Sequence, residues 1–300
     1  MEYVILGMII CGVLIMVTNI IRFALFIRDS ADVLSSGVKT DTIWKYFSLI
    51  LLIFFLIGYI LVAVIGKPDL IVAGILFGGS VFVALVLTLM FRLIGTVKSN
   101  CLNIAEALVR VEDDMGPNAT GHSRYVRNVA LLLYDYLPAT KKIGINRVSL
   151  EFATLMHDVG KLRVPPDILN KPSSLNGEEW EILKKHPKDS VDILKPLISF
   201  REIFPWIEYH HERLDGYGYY QLKAKDIPLA SRIISIADTY ASLTSNRNYR
   251  AARTHENAIQ VIRDVSGSQL DPELVNIFIR IPRDKLVACS PERELTKVPS

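Results

Sequence analysis

The sequence predicts an all-α protein, with an N-terminal bundle of three transmembrane helices followed by an all-helical soluble domain. Half of the 300 residues are hydrophobic, and the mean hydropathy of +0.30 is high for a soluble chain of this length. The apolar residues are concentrated in the first ninety positions, whereas every histidine lies further on. Beyond residue 115 the apolar residues recur at helical spacing, and no convincing strand alternation interrupts them.

Three apolar segments are long enough to cross a bilayer, which takes roughly 20 residues in a helix. They cover about residues 3–27, 46–65 and 70–91, within a transmembrane region of 1–92. We expect the first segment to be a retained anchor rather than a signal peptide, because it lacks a basic start and a small-residue cleavage site. The second and third contain no Asp, Glu, Lys, Arg or His, which favours an anchor or sensor over a transporter.

Basic residues predict the orientation of this bundle. Several lie between the first two spans and after the third, whereas the turn between the second and third offers only Lys67. The positive-inside rule therefore predicts a multi-pass protein of the inner (plasma) membrane, with its N-terminus outside and its soluble domain in the cytoplasm. Three scattered cysteines suit a reducing compartment, and a net charge of +3 gives no reason to expect DNA binding.

Residues 93–115 form a connector in which apolar residues repeat every seven positions. One position of the repeat is occupied by Met90, Val97, Ile104 and Val111, and the other by Ile94, Cys101, Leu108 and Met115. This spacing is typical of a parallel coiled coil and hence of a homodimer. The alternative is that the connector is the first amphipathic helix of the soluble domain and packs on its own core.

Helical periodicity continues through the soluble domain, residues 116–290. The stretches with this pattern are 121–136, 147–157, 177–185, 188–196, 227–243 and 255–265. A further helix is expected to begin at Asp271-Pro272-Glu273, because Asp caps helices, Pro fits the first turn and Glu favours the positive end. The tail, residues 291–300, has mixed charge and few apolar residues, which predicts disorder.

Two histidine motifs indicate chemistry. His157-Asp158 follows an apolar helix, and His210-His211 precedes a loop rich in Gly and Tyr. Imidazole and carboxylate together suit divalent transition metals, and a second ion needs about twice the ligands plus a bridge. A lone histidine would more often be a core residue, but adjacent His-Asp and His-His pairs in one small domain favour a metal site.

These motifs resemble the HD-GYP family of metal-dependent phosphohydrolases, which are cyclic di-GMP phosphodiesterases. The resemblance covers roughly residues 118–280. It rests on Met156-His157-Asp158-Val159-Gly160-Lys161, on Lys185-His186-Pro187, on His210 through Tyr219, on Ile236-Ala237-Asp238-Thr239-Tyr240 and on Leu243 through Arg250. It implies an all-helical HD-type metallohydrolase domain.

The resemblance also implies a set of metal ligands. One ion would be held by His122, His157, Asp158 and Asp238, and a second by His186, His210 and His211, with Asp158 bridging the two. His255 is left without a ligand role. Because Asn118 stands where some relatives have the glutamate for a third ion, we expect two. Iron or manganese is favoured, with zinc, cobalt and nickel as alternatives.

The implied reaction is hydrolysis of cyclic di-GMP to linear dinucleotide, GMP or both, by a hydroxide that bridges the ions. Asp158 and Lys161 would be the catalytic residues. Lys161, Arg247 and Arg250 would bind phosphate, and Tyr219 would contact a base.

Three positions depart from the family pattern. Tyr220 replaces the proline that closes the Gly-Tyr-Pro motif, Ala241 replaces an aspartate, and Asn248 replaces a proline. None is an implied ligand, so hydrolysis remains the expectation. The departures keep two alternatives open, namely a phosphohydrolase for another cyclic or linear nucleotide and a catalytically weak nucleotide receptor.

Overall fold

The computed structural model describes residues 1–30, 39–66, 69–115, 121–246 and 251–290. Within these ranges the chain is helical and contains no strand, only an isolated bridge between Ser266 and Leu270. The all-α prediction is therefore confirmed. The chain divides into two compact units, Met1–Cys101 and Leu102–Ser300. The predicted domain boundaries at residues 92, 115 and 290 stay predictions.

The first unit is built from long apolar helices. They are α1 (Glu2–Ser30), α2 (Lys39–Ile65) and the first part of α3 (Leu70–Met115). The stretches Glu2–Ile27, Ile43–Ile65 and Leu70–Val111 are long and apolar enough to cross a membrane, which confirms the three predicted helices. Most of their apolar side chains are exposed, a pattern that fits helices able to cross a membrane.

The C-terminal part of α3 has one face that packs on the domain and another that is exposed, so it bears on both interpretations of the connector. Ala105 and Val109 are fully buried in the core of the second unit, so this face packs on its own domain as the second interpretation expects. Ile104 and Val111, which are seven residues apart, remain 62% and 53% exposed. Residues four or seven apart share a helix face, whereas adjacent residues do not. Ala105 and Val109 therefore lie on one face of α3, and Ile104 and Val111 lie on another.

The second unit is a bundle of shorter helices. They are α4 (His122–Tyr136), α5 (Ala139–Lys142), α6 (Arg147–Met156), α7 (Pro166–Leu169), α8 (Gly177–Leu183), α9 (His186–Leu194), α10 (Phe204–Glu208), α11 (Leu229–Thr244), α12 (His255–Asp264), α13 (Pro272–Phe278) and α14 (Arg283–Ala288). Turns of 3₁₀ helix cover Val159–Arg163, Ile198–Ile203 and Ala224–Asp226.

Helix α11 runs through the middle of the core. It packs against α4, α10 and α12, and α4 packs in turn against α6. Ile233, Ile236, Ala237 and Tyr240 of α11 are fully buried, because they follow the helical period on the faces turned toward these neighbours. A continuous apolar core therefore fixes the ends of several helices relative to one another.

Side-chain caps define where key helices begin. Asn146 accepts hydrogen bonds from two main-chain N–H groups at the start of α6, and Asn176 with Glu179 forms a reciprocal capping box on α8. Asp271 caps α13, and Pro272 occupies its first turn. The helix predicted from Asp271-Pro272-Glu273 is therefore confirmed.

Candidate metal centre

The seven implied ligands are brought together from five helices that are separate in the sequence. His122 begins α4, His157 and Asp158 follow α6, His186 begins α9, His210 and His211 follow α10, and Asp238 lies on α11. Two sets of residues bring their ligand atoms within 4.8 Å of one another. One set is Asp158, His186, His210 and His211, and the other is His122, His157 and Asp158. Only Asp158 belongs to both.

Three of these histidines are oriented in the same way. The Nδ1 atoms of His157, His186 and His210 lie 2.8, 2.7 and 2.6 Å from main-chain carbonyls three residues earlier. These carbonyls lie at helix ends, where the helix itself supplies no donor. Because a carbonyl can only accept, each Nδ1 carries a proton, which leaves Nε2 as the atom that can ligate a metal.

These Nε2 atoms are buried. The Nε2 atoms of His157, His186 and His210, together with Asp158 Oδ1, are shielded from solvent and have no hydrogen-bond partner. A buried polar atom without a partner costs on the order of 1–3 kcal/mol, and four in one place need an explanation. Divalent metal coordination supplies it, since imidazole nitrogen and carboxylate oxygen are ligands of such ions. The residues present therefore fit a metal centre.

Asp158 presents its two oxygens to different histidines. Oδ1 lies 3.1 Å from His186 Nε2 and 3.9 Å from His210 Nε2, whereas Oδ2 lies 3.3 Å from His157 Nε2. The Lys161 ammonium also contacts Oδ2. The carboxylate is thus placed between the two candidate sets, as a bridging ligand must be.

Asp238 faces the other end of the cluster. Its Oδ1 lies 3.1 Å from His122 Nε2 and accepts a hydrogen bond from the Ser242 hydroxyl at 3.0 Å. Ser242 is one turn further along α11, so the helix orients its own carboxylate. This hydroxyl supplies an orienting contact to Asp238, whereas Ala241 is fully buried in the apolar core.

The cluster holds its carboxylates ionised. Burial would raise the pKa of Asp158, but His157 and Lys161 outweigh burial and hold it well below its usual range. Burial would likewise raise the pKa of Asp238, but the hydrogen bond with His122 keeps it low. Two charged carboxylates among imidazoles are the electrostatic environment that attracts a cation.

The histidines differ among themselves. Burial holds the pKa of His210 well below its usual value, and burial with the neighbouring His186 lowers that of His211 to about 3, so both rings are neutral. Burial would also lower the pKa of His157, but Asp158 outweighs it and raises it to about 9. Ligation by His157 therefore requires release of a proton.

Gly160 allows the two halves of the cluster to approach. A Cβ at this position would lie 2.0 Å from the His186 carbonyl oxygen and 2.5 Å from Ser190 N, so only glycine fits. The Gly160 N–H donates to Ser190 Oγ, which donates to the His157 carbonyl. Sequence reasoning missed Ser190, which joins the turn after Asp158 to the helix that begins at His186.

An open cleft of about 520 Å³ gives access to the cluster. His122, His186, His211 and Asp238 lie on its wall, as do Lys161 and Tyr219. The ring of Tyr219 lies 4.7 Å from that of His211, between centroids. Burial raises the pKa of the Tyr219 phenol, so its hydroxyl keeps its proton at neutral pH.

The loop that carries Tyr219 is held by a residue that sequence reasoning missed. The buried carboxylate of Glu212 accepts hydrogen bonds from Tyr220 N and Leu222 N, both at 2.7 Å. Proline has no N–H, so the departure at Tyr220 adds a hydrogen bond that the family's proline could not make. Gly218 permits this approach, because a Cβ there would lie 2.6 Å from Glu212 Oε1.

Some predicted residues lie outside the described ranges. Arg247 and Arg250 are among them, as are Asn118 and Asn248. Their predicted roles stay predictions.

An all-helical domain in which histidines and aspartates suited to metal ligation face an open cleft is typical of the HD class of metal-dependent proteins. The chain belongs to the HD domain family, whose model matches residues 112–274, more than half of its length. Metal dependence is a property of this family, and the resemblance found from the sequence motifs is confirmed.

The most informative relatives are cyclic dinucleotide phosphodiesterases. The chain is 33% identical over 184 residues to 3'3'-cGAMP-specific phosphodiesterase 1 of Vibrio cholerae, covering 60% of this chain and 41% of that protein. It is 33% identical over 152 residues to a cyclic di-GMP phosphodiesterase of Thermotoga maritima, covering 48% of this chain and 41% of that protein. The chain thus spans about two fifths of the length of these relatives.

Among solved structures, the chain is similar to the HD domain of L. monocytogenes phosphodiesterase PgpH in complex with cyclic-di-AMP. The identity is 20% and the TM-score 0.44, over 65% of this chain and 99% of that one.

Proposed function

We propose that this protein is a membrane-anchored, metal-dependent phosphodiesterase that hydrolyses cyclic di-GMP to linear dinucleotide, GMP or both. The observation that carries the proposal is the placement of Asp158, whose two oxygens face different groups of buried histidines on the wall of a cleft. Relatives named for cyclic di-GMP and 3'3'-cGAMP support the substrate class.

Two divalent ions are proposed, with iron or manganese favoured. His122, His157, Asp158 and Asp238 would hold one, and His186, His210 and His211 would hold the other together with Asp158. When bound, such ions act as Lewis acids that lower the pKa of water and neutralise charge on a phosphate oxygen.

The chain's own groups would bind and orient the substrate. The Lys161 ammonium lies on the cleft wall beside Asp158, where it can pair with a phosphate oxygen. Arg247 and Arg250 are proposed as further phosphate contacts. The protonated Tyr219 hydroxyl can donate a hydrogen bond to substrate, and its ring offers an apolar face to a base.

The test is hydrolysis of cyclic di-GMP by the full chain in lipid nanodiscs, loaded anaerobically with manganese or iron, with products resolved by chromatography. Cleavage should require metal and should fall at least a hundredfold in Asp158→Asn. Asp226→Asn makes the same chemical change on an exposed 3₁₀ turn and should match the wild type. A fully metallated protein that cleaves no cyclic di-GMP would refute the substrate assignment.

A second candidate substrate is 3'3'-cGAMP, because a relative specific for it is 33% identical over 60% of the chain. The same assay decides between the two through the ratio of their kcat/KM values. Saturable binding of either nucleotide without cleavage by the metallated protein would instead favour the receptor alternative.

The number of ions is tested by metal analysis. The wild type should retain about two ions per chain after desalting. His186→Ala and His122→Ala should each retain about one, because each removes a ligand from a different set. Loss of both ions from either variant would indicate a single coupled site rather than two.

The membrane topology and the assembly are also proposals. The three apolar helices are proposed to cross the inner membrane with the N-terminus outside and the catalytic domain in the cytoplasm. A fluorescent protein fused after Ser300 should then fluoresce in cells. We further propose that α3 pairs with a second copy through Val97, Ile104 and Val111, the exposed heptad stripe, whose residues are more than half exposed.

A further inference from the structure

The cleft beside the metal ligands has an aromatic side, of which the proposed function uses only Tyr219. Trp180 lines it together with Tyr217 and Tyr219. Trp180 is 42% exposed, and Tyr217 is largely exposed. Removal of a tryptophan side chain from water is favourable, so an exposed tryptophan in a cleft marks a surface that a ligand could cover.

Trp180 is nevertheless held in place. It lies on α8, whose first turn is fixed by the capping box between Asn176 and Glu179. The Glu179 carboxylate also accepts two hydrogen bonds from Lys171 Nζ, at 2.7 and 2.6 Å. A short helix tied in this way can present a side chain without reorganising when a ligand binds.

Ring contacts connect Trp180 to the metal ligands. Its ring centroid lies 6.1 Å from that of Tyr219, with the planes at 81°. The Tyr219 ring lies 6.2 Å from that of His186, one of the proposed ligands. Trp180 is therefore connected to the proposed ligand His186 through two ring contacts, on the wall of the same cleft. This arrangement suits a ligand with an anionic group at one end and a flat apolar group at the other.

We infer that Trp180 is a base-binding residue of this site, on which a purine base of the substrate stacks while the attached phosphate lies at the metal ligands. The inference rests on the proposed function and deepens it. Indole is a large aromatic surface, and base stacking on an aromatic side chain needs no hydrogen-bond pattern. Trp180 thus selects nucleotide diesters over diesters without a base, whereas it does not by itself distinguish guanine from adenine.

The test compares two diesters on the manganese-loaded full chain in nanodiscs. One is cyclic di-GMP, and the other is methyl p-nitrophenyl phosphate, which has no base. Trp180→Ala should lower kcat/KM for cyclic di-GMP by roughly 5- to 150-fold, the factor to which 1–3 kcal/mol of stacking corresponds, mainly through KM. The same variant should change kcat/KM for the base-free diester by no more than about twofold.

Two further variants sharpen the result. Trp180→Phe keeps an aromatic face and should recover most of the loss, and Trp44→Ala, the same change on α2, should match the wild type. The inference is overturned if Trp180→Ala leaves cyclic di-GMP hydrolysis unchanged. It is equally overturned if that variant lowers the cleavage of both diesters alike, because the role would then be structural.

A second readout separates this inference from the proposed function. In Trp44→Phe/Trp206→Phe, Trp180 is the sole tryptophan, and a stacked guanine should quench its fluorescence saturably. If the wild type cleaves neither diester, the hydrolase proposal fails, whereas saturable quenching by cyclic di-GMP still supports the base contact. Absence of quenching at concentrations that saturate binding overturns it.

Discussion

The Nδ1 atoms of three buried histidines are committed to main-chain carbonyls, and this single hydrogen bond decides which nitrogen faces the cluster. His157, His186 and His210 each lie three residues after their acceptor, a spacing that a helix end provides. A metal-binding histidine whose other nitrogen is fixed loses little rotational freedom on ligation. The sequence predicts which histidines would be ligands, but the nitrogen that each would use follows from where each helix ends.

His255, the histidine left without a ligand role, has a different partner. Its Nδ1 lies 2.9 Å from the Tyr240 hydroxyl. The pKa of His255 is lowered, mainly by burial. Glu256 acts in the opposite direction, and Arg283 adds to the lowering. The folded protein thus disfavours the protonated ring, so the unfolded chain takes up this proton first as the pH falls below about 6.5. Acidification from there should reduce stability.

We therefore predict that His255→Gln flattens the dependence of stability on pH. Urea unfolding of the metal-free protein at pH 7, 6 and 5 should show a smaller loss of unfolding free energy in the variant. The difference cannot exceed one proton, about 1.4 kcal/mol per pH unit. Parallel pH profiles for the two proteins would show that the neutral form of His255 does not contribute.

At the scale of elements, the loop after the His-His pair depends on one buried carboxylate. Glu212 accepts from Tyr220 N and Leu222 N with separate oxygens. We predict that Glu212→Gln weakens this loop, because an amide offers one acceptor and turns an N–H toward the other donor. The cost should be about 1–3 kcal/mol of unfolding free energy.

The same substitution should raise KM for the nucleotide more than it lowers kcat, since Tyr219 is displaced while the metal ligands remain. Glu178→Gln, the same change at an exposed position in the first turn of α8, is the matched control. An equal KM in both variants would show that the loop position does not influence substrate binding.

Helix α3 presents different faces to different environments. Ala105 and Val109 pack into the domain, whereas the exposed heptad stripe has no covering within the described chain. If the stripe pairs with a second copy, Ile104→Lys should place charges in the interface and convert dimers to monomers in light scattering of the solubilised protein. Asn103→Lys, exposed on another face of the helix, should leave the dimer intact. A monomeric wild type would refute the pairing.

For the whole molecule, metal binding and folding should be coupled. Each ion held at a hundredfold excess over its Kd stabilises the folded state by about 2.7 kcal/mol. Removal of two ions with a chelator should therefore lower Tm by roughly 10–20 °C, given about 2–4 °C per kcal/mol for a domain of this size.

The control is the variant in which the proposed bridging carboxylate is replaced by an amide. Asp158→Asn should show a much smaller change in Tm on chelation, because it holds its ions weakly from the start. A wild-type Tm that does not respond to complete metal removal, verified by elemental analysis, would contradict the coupling.

The apolar spans, the helical periods and the His-Asp and His-His motifs could be predicted from the sequence, because each is a local pattern. The cap at Asp271 is local in the same sense, and it formed as predicted. The seven candidate ligands could be named from the motif resemblance for the same reason, without knowledge of how they meet.

What only the tertiary structure decided depends on contacts between distant residues. Ser190 belongs to no motif, and Glu212 lies in one that gave it no role. Their roles follow from the approach of the loop and of α9, which Gly218 and Gly160 permit. The buried face of α3 could not be separated from a coiled-coil seam in the sequence, because both use apolar residues at helical spacing. Burial against a partner element distinguishes them, and burial is a property of the packed molecule.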